Sequence, residues 1–132
     1  DVIAGTDARN VGVLAAALGA LGGQTLDVDG QIRAEAALVR HLEAPTTDVV
    51  DLVALVRALG ALASPYALER VRSHALLYRG DPELAGSKEW RRAVVGALGR
   101  SKDPIDRETL RMLGEDGRTQ PDLATLAADA VE

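Results

Sequence analysis

The chain of 132 residues is long enough for one domain with a substantial core, and it carries a formal net charge of −5. It has no Cys and no Phe, and its aromatics are Tyr66, Tyr78 and Trp90 alone, which excludes disulfides, thiolate catalysis and Cys-based zinc sites and leaves Ala, Leu and Val to build the core. The acidic balance disfavours nucleic acid as the principal partner, and no apolar run approaches the ~20 residues of a membrane span.

From the N-terminus, a cap at Thr6-Asp7 opens a helix to about Leu21. Its run of Val11, Val13, Leu14 and Leu18 is almost without charge, so most of its faces are expected to be buried. After Gly22-Gly23 comes a helix over about Gln31 to Glu43, with Ile32, Ala36, Val39 and Leu42 at helical spacing and Pro45 ending it. Between them, Asp27-Val28-Asp29-Gly30 resembles part of a calcium loop, but position 38 is Leu where the closing Glu would stand, so a turn is expected.

Thr47-Asp48 caps a helix over Val49 to Leu62. Ser64-Pro65 turns the chain and sets Pro65 near the first position of the next helix, Tyr66 to Arg79, whose inner side carries Leu68, Val71, Ala75 and Tyr78. Gly80-Asp81-Pro82 closes it. A lead-in over Glu83 to Lys88 precedes a helix from Glu89 to Leu98 that is expected to stop at Gly99, with Ala93, Val94, Ala97 and Leu98 on one face. Asp103-Pro104 starts a helix to about Leu113, and a last amphipathic stretch after Pro121 carries Leu123, Leu126, Ala127 and Ala130. Strand patterning is absent, and the expectation is all-α.

These elements repeat. Leu18, Leu59 and Leu98 each stand in an Ala-Leu-Gly phrase and are separated by 41 and 39 residues, while Ile32, Val71 and Leu110 are separated by 39 and 39. A period near 40 with two helices per unit divides the chain into units at about 6–44, 47–81 and 83–117, with a partial fourth at 120–132. The fourth opens because Pro121-Asp122-Leu123-Ala124 echoes Pro82-Glu83-Leu84-Ala85. The two spacings together assign about two extra residues of the first unit to its turn, within Gly22 to Gly30. Leu18, Leu59 and Leu98 are expected in the core, where replacement by Ala would cost ~2–5 kcal/mol.

The third unit carries Trp90-Arg91, the pair Val94-Val95, Ala97-Leu98-Gly99 and Asp103-Pro104, and in this it resembles the HEAT-repeat family, including the short bacterial HEAT-like repeats related to phycobilisome lyases. The second unit departs at Asp51-Leu52 and at Ser64-Pro65, the first at Asn10-Val11 and in its expanded turn. The resemblance covers roughly Thr6 to Leu113. It implies a right-handed α-solenoid of about three helical hairpins plus a C-terminal helix. Its second helices would line a surface for binding proteins or, less often, nucleic acid.

On those second helices the sequence sets out two columns of arginine at a spacing of 39, Arg33, Arg72 and Arg111 in one and Arg40, Arg79 and Arg118 in the other. Within a helix the two are seven apart and share a face. Such guanidinium groups suit carboxylates or phosphates, so an acidic protein segment is the expected partner, met by Arg33, Arg40, Arg72, Arg79 and Arg111 with Glu69, Arg70 and Ser73 beside them. The structural alternative is that Arg40 and Arg79 answer helix dipoles and the rest pair with Glu35, Glu69 or Glu108. His41 and His74 have no metal-ligand spacing and are expected at the surface, and Trp90 in the core. Ser64 and Ser101 lack a nucleophile context, no glycine-rich phosphate loop occurs, and no cofactor is implied.

The expected function is a non-enzymatic interaction scaffold, expected to be part of a longer polypeptide because the fourth unit stops short, with a terminal capping helix as the alternative; the sequence leaves the location open, with the cytoplasm favoured. The alternatives are a lyase-type HEAT-like subunit holding a chromophore, or a purely structural spacer.

Overall fold

The computed structural model describes residues 28–44 and 47–132, and among them the chain is entirely helical, with no strand. Helices α1 (Val28–Glu43), α2 (Val49–Leu62), α3 (Pro65–Leu77), α4 (Lys88–Arg100), α5 (Pro104–Glu115) and α6 (Pro121–Ala130) follow one another with short connections.

Local chemistry sets most of their starts. Side chains of Asp48, Ser64, Ser87, Asp103 and Gln120 each accept a backbone N–H from the first turn of the helix they precede, at 2.9 to 3.2 Å. Pro65, Pro104 and Pro121 stand at the first helical positions, where a missing N–H leaves no bond unmade. At the other end of α2, Ala63 adopts the left-handed conformation (φ 55°) and returns its N–H to the Leu59 carbonyl.

Three boundaries differ from the sequence expectation. Residues Val28 to Gly30 are the opening turn of α1, so the calcium-like stretch is helical over them. Helix α4 passes through Gly99 to Arg100, because Ser101 caps it with an N–H to Leu98 and the chain never needs the left-handed glycine. Helix α3 ends at Leu77, which leaves Arg79 beyond its last turn.

Helices α2 and α4 pack side by side, as do α4 and α6, while α1 lies against α3 and α3 against α5. Consecutive helices α2 and α3, and α4 and α5, also pack on each other. The α2–α4 crossing is close because Gly60 has no side chain: a Cβ there would stand 2.8 Å from the Ala97 Cβ. Gly114 permits a similar approach of α5 to Ala128 of α6, with 3.1 Å to the Ala128 Cβ.

One apolar core runs through these contacts, centred on Leu55, Leu59, Val71, Trp90, Leu98 and Leu113. Leu59 and Leu98 are fully buried as expected; Leu18 and the first expected helix lie outside the described residues.

The inner face of α1 is not the one expected. Ile32 is 58 % exposed and Ala36 is exposed too, while Ala34, Ala37 and Leu38 join Val39 and Leu42 in the core. Burial on α3 and α5 repeats at 39 residues, Ala67 with Asp106, Val71 with Leu110 and His74 with Leu113. Between α1 and α3 it repeats at 37, Ala34 with Val71, Ala37 with His74 and Leu38 with Ala75. The two-residue difference rotates α1 by about half a turn relative to the sequence alignment, since each residue advances a helix by about 100°.

Candidate functional site

Helices α1, α3 and α5 correspond to the second helices expected from the sequence and carry every residue singled out as a site except Arg79, which follows α3. Helices α3 and α5 run parallel: Arg72 reaches Asp106 and, further along, Arg79 reaches Asp116.

Neither of these arginines faces outward. Arg72 Nη1 donates to Asp106 Oδ1 at 2.6 Å, and Ser101 Oγ donates to the other carboxylate oxygen at 2.5 Å, inside a site where Asp106 is wholly buried. Arg79 donates from Nε to Asp116 at 3.0 Å and from Nη1 to the Leu76 carbonyl at 2.6 Å, while its own carbonyl accepts the N–H of Gln120 at 2.8 Å. The Arg118 backbone N–H, followed by the Arg79 guanidinium, holds the Asp116 carboxyl below the usual carboxylate range. These contacts tie α3 to α5 and to the connection before α6, and they fix the spacing of the two helices.

The outward face shows a repeated Glu–Arg–Glu arrangement. Arg70 donates to Glu43 of α1 at 2.5 Å and lies 3.8 Å from Glu69. Arg111 sits between Glu108 and Glu115, with 2.6 Å to Glu115 and a bidentate pairing to Glu108. Hydrogen bonding from Arg111 lowers the Glu108 pKa, and the two carboxylates raise that of Arg111. Arg33 and Arg40 on α1 are exposed and make no ion pair among the described residues, and Arg118 stands exposed at 3.9 Å from Asp116. The two arginine columns therefore have three different surroundings, and Arg33, Arg72 and Arg111 do not present guanidinium groups to one common surface.

What the sequence reading missed is apolar. Tyr66, Leu77, Ile105 and Met112 are exposed on α3 and α5, Leu77 to 72 %. Tyr66 and Ile105 occupy equivalent positions, as do Ser73, which is exposed, and Met112. The signal was present: Ile105 and Met112 are seven apart and share one side of α5, about a quarter of a turn round from Leu113. Beside this row, between α1 and α3, a cavity of about 200 Å³ is lined by Leu42, Glu43, Arg70, Ser73, His74, Leu77 and Tyr78.

His74 corrects the expectation of a surface histidine. It is buried, its Nε2 accepts the indole N–H of Trp90 at 2.9 Å, and its ring packs against Tyr78 with centroids 5.0 Å apart. Burial lowers its pKa from 6.5 to about 4, so the imidazole is neutral at pH 7. Helical spacing could not reveal this, because the partner that makes the burial tolerable arrives from another hairpin. Trp90 is fully buried, as expected. His41 is partly exposed, and its carbonyl accepts the Thr47 hydroxyl at 2.5 Å.

Among the described residues no three His, Asp or Glu side chains converge as metal ligands, and no helix is long and apolar enough to cross a membrane. No family model, no curated protein and no solved structure matches the chain.

Proposed function

We propose that the chain is a non-enzymatic protein-interaction module, a HEAT-like right-handed solenoid of about three hairpins that holds a partner segment along the outward face of its second helices, α1, α3 and α5. The observation that carries the reading is the group of exposed apolar side chains on parallel helices, Tyr66 and Ile105 at equivalent positions with Leu77 and Met112 beside them. Exposed apolar groups gathered on one face favour a partner over water. Support for the solenoid comes from the contact order, in which first helices meet first helices and second helices meet second helices. Arg72 and Arg79 serve this function indirectly, by holding α3 and α5 at a fixed spacing, and Ser73 and Leu77 line the groove toward α1.

The test is photo-crosslinking from a reactive group placed at Leu77 or Met112, compared with one at Arg92 on the opposite row. Crosslinks confined to the second-helix positions and lost in Ile105→Glu support the module; equal labelling from both rows rejects it.

A further inference from the structure

We infer that the partner held by α3 and α5 is a basic amphipathic helix, rather than the acidic segment that the arginine spacing suggests. This rests on the interaction face proposed above and assigns its chemistry. Each arginine on the outward face is already shared by two carboxylates: Arg70 by Glu43 and Glu69, and Arg111 by Glu108 and Glu115. The four glutamates are all more than half exposed, from 52 % to 66 %, so the face around Tyr66, Ile105 and Met112 carries two uncompensated negative charges. An incoming carboxylate would meet this excess and find the Arg70 and Arg111 guanidinium groups already paired. An incoming lysine or arginine finds carboxylates flanking an apolar row, the complement of a helix with an apolar stripe edged by cations.

The spacing also fits. Packed helices lie about 8–10 Å apart, and a crossing peptide helix advances about 10.5 Å in seven residues. Apolar residues one heptad apart would meet Tyr66 and Ile105, with basic residues between them near Glu69 and Glu108.

The probe is a fluorescein-labelled amphipathic peptide with Leu at heptad positions a and d and Lys at e and g, titrated into the full chain and read by anisotropy. Its counterpart carries Glu in place of every Lys. The Lys peptide is expected to bind about tenfold or more tighter than the Glu peptide, the sum of several exposed pairs, and to weaken as salt is raised. The double variant Glu69→Lys/Glu108→Lys is expected to reverse the preference. If the Glu peptide binds as well or better and Tyr66→Ala with Ile105→Ala abolishes its binding, the charge assignment falls while the interaction face stands. Failure of the Lys peptide to bind, or self-association of the chain lost in Ile105→Glu by sedimentation, overturns the inference in favour of another occupant. Binding untouched by Tyr66→Ala and Ile105→Ala removes the face itself.

Discussion

The Nε2 atom of His74 accepts the indole N–H of Trp90 across 2.9 Å, joining α3 to α4 through two buried rings. That bond requires the imidazole to be unprotonated at Nε2. It also gives the indole the partner that a buried Trp needs. One contact therefore couples packing of two hairpins to the charge of a single group.

The coupling gives stability an acid dependence. The folded-state pKa of His74 is about 4 against an ordinary 6.5, so between those values the unfolded chain binds the proton and the folded one does not. The stabilisation associated with neutral His74 is fully present above pH 6.5 and is lost as pH falls toward 4, by about 3 kcal/mol in all. Urea midpoints from pH 7 to 4 should fall in the native chain and fall less in His74→Gln, which retains an acceptor but does not titrate. Identical slopes would show that the carboxylates alone set the acid limit.

Replacing Trp90 by Phe keeps a ring in the core but leaves His74 Nε2 without its donor and part of the indole volume empty. The expected loss is about 2–4 kcal/mol, from the orphaned acceptor and the residual cavity together. Chemical denaturation of Trp90→Phe, followed by circular dichroism, checks the figure.

Asp106 is wholly buried, and the Arg72 guanidinium is its charge partner. Arg72→Met is expected to destabilise by about 3–5 kcal/mol, because it strands a buried carboxylate. Pairing it with Asp106→Leu should restore much of that loss. A double-mutant cycle in urea would expose a merely additive response, which would mean that the ion pair is not the strut between α3 and α5.

Two glycines one helix apart should respond in opposite directions. A methyl at Gly60 would press on Ala97 at 2.8 Å, so Gly60→Ala is expected to cost about 1–3 kcal/mol as α2 is pushed from α4. Nothing stands within 4 Å of a methyl at Gly99, which is helical, so Gly99→Ala is expected to stabilise by about 0.5–1 kcal/mol. Thermal melts of the two variants decide the matter.

Ala63 holds a left-handed conformation that costs an L-residue about 1 kcal/mol. Ala63→Gly should recover about that amount with α2 and α3 unchanged. An unaltered melting temperature would mean that the αL cap carries no strain.

The helices were legible because their signals are local. The Asp48 cap, the Ser64-Pro65 and Asp103-Pro104 pairs and the helical spacing of Ala, Leu and Val lie within a few residues of the structure they specify, and α2 runs from Val49 to Leu62 as read. The class, all-α, followed from the same short-range pattern, and the burial of Leu59 and Leu98 from the repetition of their Ala-Leu-Gly phrase along the chain.

What tertiary structure decided is which face of each helix turns inward and what each long side chain reaches. Ile32 and Val71 align in sequence, yet one is exposed and the other is buried, because the neighbours of α1 rotate it to a different register. Arg33, Arg72 and Arg111 align as well, yet among the described residues only Arg72 meets a buried carboxylate, supplied by a helix 34 residues away. Burial and charge pairing depend on atoms brought in by other hairpins, and no periodicity within one helix encodes them.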